Sequence, residues 1–198
     1  MSNKEVLVRI ETFATTLLKS NAVCKLCYHN IEHTLRVVDN VEQIAMQEGV
    51  SSEDFFVLKA VAWFHDLGYS KKYKGHEDES ILIAKDFLKK ENVALSLIDR
   101  IIEGINATRV PQAPKNKLEH IISDADLFDL GTDDYFELSE RLFTEWNNCT
   151  KSGDNRDNWL LSLQFMKEHR YFTEYANRVL EPKKQENIRI LEKRLKIS

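Results

Sequence analysis

The sequence is poor in residues that break helices or form tight turns. Its 198 residues include only 6 glycines and 3 prolines, and no Asn-Gly or Asp-Gly pair that would mark a β-hairpin turn. Sustained alternation of apolar and polar residues, the pattern of a half-buried strand, is also missing. A β-sheet protein is therefore not expected.

Long apolar runs and an excess of positive charge are missing too. No stretch approaches the roughly 20 apolar residues of a membrane-spanning helix, and charged side chains interrupt the N-terminus where a signal peptide needs an apolar core. The formal net charge is −4, so the chain as a whole does not attract nucleic acids or anionic membranes. We expect a cytoplasmic protein with no membrane or nucleic-acid partner.

Cysteine is scarce and odd in number, with Cys24, Cys27 and Cys149. An odd count argues against a disulfide framework and fits reduced thiols in a cytosol. Cys24 and Cys27 have the spacing of a zinc or redox pair, but no second pair accompanies them. We interpret them as incidental thiols.

The sequence does show helical periodicity. Apolar residues recur at three- and four-residue spacing almost throughout, which predicts an all-α fold. Because there is no repeat, low-complexity tract or linker, we predict one helical domain for residues 1–198. Helices are expected near residues 4–19, 30–48, 53–66, 77–90, 94–107, 117–130, 133–150, 156–168, 171–180 and 183–196. In the last of these, Ile188, Leu191 and Leu195 form a stripe suited to docking on the domain or on a second copy of the chain.

Two histidines lie four residues apart at the start of the second predicted helix. One helical turn brings His29 and His33 to the same face, a familiar spacing for metal ligands. That face is predicted to lie opposite the apolar stripe of Ile31, Leu35 and Val38. The same spacing also occurs on an ordinary solvated helix face.

The third predicted helix is apolar on nearly every side before it reaches His65 and Asp66. A helix of this kind is central and buried, so its terminal imidazole and carboxylate need partners, because unpaired buried charge is costly. A helix end capped by a backbone carbonyl and a salt bridge would meet that need. A bound divalent cation would satisfy both groups at once.

A further acidic side chain is predicted to face inward from the helix near residues 117–130. Leu118 and Ile122 mark its apolar stripe, and Asp126 falls on that stripe. His120 and Asp124 fall on the opposite side, which we expect to face solvent. A buried carboxylate on an apolar stripe is explained by a metal.

Side chains on three predicted helices therefore form a candidate metal site, which consists of His33, His65, Asp66 and Asp126. Such mixed nitrogen and oxygen ligands suit Zn, Mn, Fe or Co, or Mg where more oxygen ligands are present. His76 and Glu77, at the start of the helix near residues 77–90, either face this site or are ordinary first-turn residues.

At these residues the sequence resembles the HD-domain superfamily of metal-dependent phosphohydrolases. The signature of that family, H…HD…D, is matched by His33, His65-Asp66 and Asp126. Four segments carry the likeness in order: YHN with the following HT, then WFHDLGY, HEDES and DADLFDLG. They cover roughly residues 24–146, and the helices within 156–198 are predicted to pack on this core. The resemblance is closest to short bacterial proteins predicted to be HD phosphohydrolases, and the YHN segment is similar to that of cyclic-nucleotide phosphodiesterases.

The resemblance implies hydrolysis of a phosphomonoester or phosphodiester, with a nucleotide as the expected example. One or two divalent ions would activate water, Asp66 would bridge two ions in a binuclear site, and His76 has the position of a ligand or substrate contact there. His29 is implied as the acid that protonates the leaving group, with Glu77 as the alternative donor. Basic loop residues could hold the phosphate or simply be solvated; these are Lys71, Lys72, Lys74, Arg109 and Lys115.

Two other functions compete with this one. A non-catalytic sensor could bind a metal or a nucleotide without cleaving it, although a purely structural site has no need of His29. A di-iron oxygenase of the HD fold needs two further histidines between the HD pair and the last aspartate. Only His76 and His120 are available, and His120 is predicted to face outward. We therefore expect a phosphohydrolase with a small phosphorylated substrate.

Overall fold

The computed structural model describes residues 2–20, 26–150 and 155–197, and it contains only helices and loops in those ranges. The all-α prediction is confirmed. The α helices are α1 (Asn3–Ser20), α2 (Ile31–Glu48), α3 (Ser52–Phe64), α4 (His76–Lys90), α5 (Leu95–Ala107), α6 (Lys117–Asp126), α7 (Tyr135–Thr150), α8 (Asn155–Glu168), α9 (Glu174–Val179) and α10 (Glu181–Leu195). Short 3-10 helices span Leu67–Ser70 and Phe128–Gly131.

Side-chain caps fix the starts of the helices that carry the candidate site. The Asn30 side chain accepts hydrogen bonds from the amides of Glu32 and His33 at the start of α2. The Ser51 hydroxyl accepts a hydrogen bond from the amide of Asp54 at the start of α3. These bonds satisfy amides that have no partner within the helix.

The third helix is the centre of the bundle, as its composition predicts. Eight of its residues are buried, and α1, α2, α5 and α6 all pack against it. Its one lysine, Lys59, reaches the outside and pairs with Glu42 on α2. The end of α3 therefore delivers His65 and Asp66 into the interior, where they are 1% and 4% exposed.

The apolar interior falls into two clusters. The larger one contains side chains from all six helices α1 through α6. The second contains side chains from the C-terminal helices α8, α9 and α10, from the second 3-10 helix and from Tyr135 of α7. The C-terminal stripe is confirmed as a packing surface within the chain, because Ile188, Leu191 and Leu195 are buried in the second cluster.

Two predicted helix faces differ from the structure. On α2, Leu35 is 43% exposed, whereas His33 and Val37 on the supposedly opposite face are buried. Both α3 and α6 pack against α2, so a face that looked polar is covered. On α6, the solvent-facing prediction for Asp124 is wrong, since this residue is completely buried.

The reason for the second difference lies far along the chain. The Asp124 carboxylate accepts hydrogen bonds from the amides of Phe172 and Thr173, at 3.0 and 2.8 Å, and from the Thr173 hydroxyl at 2.7 Å. His120, also predicted to be outward, is half-buried and stacks on the Phe172 ring. The segment before α9 thus crosses α6 and covers it.

Gly68 allows the turn after the His65-Asp66 pair to pack against the start of α4. A Cβ atom at this position would lie 1.8 Å from the backbone oxygen of His76. The Gly68 amide also donates to the Ser80 hydroxyl at 2.8 Å. This close approach brings His76 beside Asp66.

The cysteine prediction is partly wrong. Cys149 is disulfide-bonded, whereas Cys27 keeps its thiol; Cys24 lies outside the described residues. Within the described ranges, none of the helices combines the length and the apolar character that crossing a membrane requires.

Candidate active site

Three helices bring the four predicted metal ligands to one point. His33 lies in the first turn of α2, His65 and Asp66 follow the last residue of α3, and Asp126 is the last residue of α6. The Nε2 atoms of the two histidines are 3.4 Å apart. Asp66 Oδ2 lies 3.4 Å from His33 Nε2 and 3.2 Å from His65 Nε2. Asp126 Oδ1 lies 3.3 and 3.5 Å from the same two nitrogens.

These separations fit the ligand shell of a divalent ion. Ligands held about 2.0–2.2 Å from a zinc-like ion lie roughly 2.8–3.6 Å from one another in octahedral or tetrahedral arrangements. Asp66 Oδ2 is buried and makes only the ionic contacts given above, without a hydrogen bond. A buried carboxylate oxygen of this kind calls for a cationic partner. His33, His65 and Asp66 alone form a tight enough group to hold an ion.

The His65 ring is oriented by its own helix. Its Nδ1 lies 2.8 Å from the backbone oxygen of Ala62. Since a carbonyl can only accept, Nδ1 carries the proton and donates it. In the neutral ring, the lone pair on Nε2 is then directed at the cluster, which is the arrangement seen for metal-binding histidines.

The charges in the cluster stabilise one another. Burial alone would lower the pKa of His65, but Asp66 and Asp126 outweigh it and hold that pKa well above its usual value. Burial would raise the pKa of both carboxyl groups, yet the histidines hold the pKa of Asp66 well below its ordinary value and that of Asp126 at about 2. The site is therefore built for ionised carboxylates and an added positive charge. Protons on the histidines would compete with a metal for it.

The second oxygen of Asp66 faces a different histidine. Asp66 Oδ1 lies 3.1 Å from His76 Nε2, and His76 Nδ1 lies 3.8 Å from Glu77 Oε2. Asp66 thus contacts His33 and His65 through one oxygen and His76 through the other. Both His76 and Glu77, whose orientation the sequence left open, line the same cavity as the cluster.

His29 is held by the buried carboxylate of Glu145, which no sequence motif singles out. His29 Nδ1 lies 2.5 Å from Glu145 Oε1, and the other oxygen of Glu145 accepts the backbone amides of Tyr28 and His29 at 2.8 and 3.0 Å. The Tyr73 hydroxyl donates to Oε1 at 3.3 Å. Glu145 has no exposed side-chain surface. A usable signal existed, because Glu145 continues the α7 stripe of Leu138 and Leu142.

The electrostatics of this pair favour a charged imidazole. Burial would lower the pKa of His29, but its hydrogen bond to Glu145 and nearby carboxylates raise it above the ordinary value. Burial would raise the pKa of Glu145, but the His29 partner lowers it. The Tyr69 ring stacks on His29 and on His76, with centroid separations of 4.5 and 3.8 Å. Tyr69 therefore contacts both histidines, whose own ring centroids are 6.3 Å apart.

A cavity of about 470 Å³ opens beside these groups. One part of its lining is ionisable and includes His29, His33, Asp66 and Asp126. The other part is mainly apolar and comes from α7, α8 and the loops before α6 and α7. Its volume falls within the range of small-molecule binding sites.

The structure does not bring the predicted phosphate-binding cations to this cavity. Arg109 reaches Glu77 at 3.4 Å and Asp78 at 2.5 Å, Lys72 lies near Asp78 and Glu79, and Lys115 is exposed. None of the three lines the cavity, nor do Lys71 and Lys74. A short run of basic residues in a loop carries no information on where the side chains end, so the sequence could not decide this point.

A helical scaffold on which histidines and aspartates converge beside a cavity is typical of a metal-dependent hydrolase. A family model described as HD domain matches residues 30–131, just over half of the chain. The chain therefore belongs to the HD domain family, whose members are generally metal-dependent hydrolases. No curated protein matched the sequence.

Solved structures share the fold over nearly the whole length. The Lin1889 protein of Listeria innocua has a TM-score of 0.66 at 20% identity, covering 100% of this chain and 99% of its own. YpgQ of Bacillus subtilis, solved in complex with ADP, has a TM-score of 0.67 at 18% identity, with coverages of 98% and 96%. A predicted HD superfamily hydrolase from an uncultured Thermotogales bacterium gives 0.61 at 17% identity, with 98% of each chain covered.

Proposed function

We propose that this protein is a metal-dependent phosphohydrolase that cleaves a phosphomonoester or phosphodiester. The observation that carries the proposal is the convergence of four side chains beside a ligand-sized cavity, where Asp66 and Asp126 each lie 3.2–3.5 Å from the Nε2 atoms of both His33 and His65. Membership of the HD domain family supports it. The ADP complex of YpgQ, a protein of the same fold, supports a nucleotide as one substrate to examine.

The four converging side chains would hold the ion in this proposal. A divalent ion bound there would supply Lewis acidity toward the phosphoryl group and lower the pKa of water. Mn, Fe, Zn, Co and Mg all remain to be compared, because two imidazoles and two carboxylates suit several of them. Asp66, with Oδ1 directed toward His76, would orient the water or a second ion.

The chain's own residues provide a route for the proton. In hydrolysis a water oxygen bonds to phosphorus, the bond from phosphorus to the leaving oxygen breaks, and that oxygen must gain a proton. His29 is the proposed donor, because Glu145 binds its Nδ1 and favours the protonated ring. The remaining nitrogen, Nε2, is then available to the substrate. Glu77 lines the same cavity and is the alternative donor.

A metal-reconstitution assay tests the proposal. The purified protein is stripped, reloaded separately with each of the five metals, and supplied with mononucleotides, cyclic nucleotides and simple phosphate esters. We expect metal-dependent hydrolysis of at least one compound. His65→Ala and Asp126→Ala should lose both bound metal and turnover, whereas Asp39→Ala, on the exposed side of α2, should keep both.

Other outcomes of these assays would support a different function. A metal-loaded protein that is inert toward the whole panel would favour a non-catalytic sensor. Oxygen consumption by the iron form without phosphate release would favour an oxygenase. His29→Ala should retain the metal and lose turnover; if it retains both, His29 is not the acid.

A further inference from the structure

The cavity beside the proposed metal site has two chemically different parts. The part formed by α7 and α8 is dominated by large apolar side chains, namely Leu142, Phe143, Trp146, Leu161 and Phe165. Its polar atoms are uncharged hydroxyls such as those of Ser139 and Ser162. Such a surface favours a flat apolar group and can accept a neutral polar one.

The ionisable part of the cavity carries several acids. Asp66, Glu77, Asp126 and Asp129 all line it. Among its described lining residues there is no lysine or arginine. A divalent ion held by these residues would offset the charge of Asp66 and Asp126, and it would leave no surplus positive charge for the phosphoryl groups of a substrate.

Two arginines form ion pairs with these and neighbouring acids. Arg109 contacts Glu77 and Asp78, and Arg36 contacts Asp129 at 3.4 Å. They therefore neutralise carboxylates from outside the cavity and do not present their positive charge to its contents.

We propose that the substrate of this site carries a single phosphoryl group on an uncharged, largely apolar or aromatic leaving group. This inference rests on the proposed function. A metal held by His33, His65, Asp66 and Asp126 would bind the phosphoryl group, and the surface of α7 and α8 would hold the leaving group. Each additional phosphate would add negative charge to a lining that includes four carboxylates and, among its described residues, no lysine or arginine, which should lower kcat/KM by about tenfold or more.

Two matched substrate pairs test the two parts of the proposal in the metal-loaded protein. AMP and ADP share the nucleoside and differ in phosphoryl number, and total phosphate and pyrophosphate release is measured for both. 1-Naphthyl phosphate and glycerol 3-phosphate share one phosphoryl group and differ in the leaving group. We expect kcat/KM to be higher for AMP than for ADP, and higher for 1-naphthyl phosphate than for glycerol 3-phosphate, by about tenfold or more in each pair.

A pair of lysine substitutions isolates the role of charge. Leu161 lines the cavity and is 58% exposed, whereas its neighbour Leu160 is 37% exposed and does not line it. Both positions are exposed, so a lysine at either one can reach solvent. Leu161→Lys should narrow the AMP-to-ADP ratio several-fold, and Leu160→Lys should leave it unchanged.

The results separate this inference from the function on which it rests. A wild-type enzyme that hydrolyses ADP as well as AMP, or glycerol phosphate as well as naphthyl phosphate, overturns the substrate class while the hydrolase remains. An AMP-to-ADP ratio that does not respond to Leu161→Lys overturns the charge argument. Absence of metal-dependent hydrolysis with every ester contradicts the proposed function itself.

Discussion

Replacing Glu145 with glutamine tests whether this buried carboxylate activates His29. The two side chains have nearly the same shape, so packing around the position is preserved. One carboxylate oxygen accepts two backbone amides, at 2.8 and 3.0 Å, and the other faces His29 Nδ1 at 2.5 Å. A glutamine has one carbonyl oxygen only, and the two amides will take it. Its NH2 group then faces His29 Nδ1, which must become an acceptor.

The expected loss follows from that exchange. A hydrogen bond to a charged partner contributes about 1.5–3 kcal/mol, which corresponds to roughly a 10- to 100-fold change in the population or reactivity of protonated His29. We expect kcat/KM for the best substrate to fall by about that factor in Glu145→Gln, with bound metal unchanged. The assay is steady-state hydrolysis together with metal analysis of the same samples.

Comparison with His29→Ala separates positioning from a general structural role. If Glu145 acts through His29, the double variant should be no slower than His29→Ala alone. Leu142→Met, one turn earlier in α7 and also at the cavity, controls for small packing changes. The reasoning is refuted if Glu145→Gln retains wild-type kcat/KM, or if its effect multiplies with that of His29→Ala.

Three further predictions concern stability and the proton donor. Asp124→Ala should lower the free energy of unfolding by roughly 2–4 kcal/mol, measured by urea denaturation, because it leaves the Thr173 hydroxyl and two amides without their acceptor; it should keep the metal, and a metal-free variant would place Asp124 in the site. Because the pKa of His29 is raised in the folded state, its protonated ring contributes to stability. That contribution is complete below pH 6.5 and is lost as pH rises through the folded-state pKa. Because the pKa of Glu145 is lowered in the folded state, its ionised carboxylate contributes stability that is complete above pH 4.5 and is lost as pH falls through the folded-state pKa. The Tm difference between metal-free wild type and Glu145→Gln should therefore be largest between pH 4.5 and 6.5. A difference that does not change with pH would contradict the ion pair. Glu77→Gln should keep most of the turnover if His29 is the donor, whereas a loss as large as that of His29→Ala would make Glu77 the acid.

The sequence was sufficient to predict the central helix and the residues that converge at its end. An almost uniformly apolar segment must be buried, so His65 and Asp66 needed a shared partner wherever the other helices lay. The periodicity of α6 likewise placed Asp126 on the inward side. The HD signature then related His33 to the same site, and the structure brings the four side chains together.

Errors arose where burial depends on a distant segment. Asp124 is on the outer side of α6 relative to the main core, and only the segment before α9, almost fifty residues later, covers it. The polar face of α2 at His33 is buried because two helices pack against it. Helical periodicity describes one helix at a time and does not indicate which other segments pack over it.

The sequence by itself determined the fold class and the buried end of α3, because these follow from local periodicity and the cost of burying charge, and with the HD signature it singled out the four side chains that converge there. The tertiary structure alone decided that Glu145 supports His29, that the Tyr69 ring stacks on both His29 and His76, and that loop cations such as Arg109 pair with acids. Each of these depends on where side chains from different helices end in space. The distances between such side chains are set by how the helices pack, and the spacing of residues along one helix does not determine them.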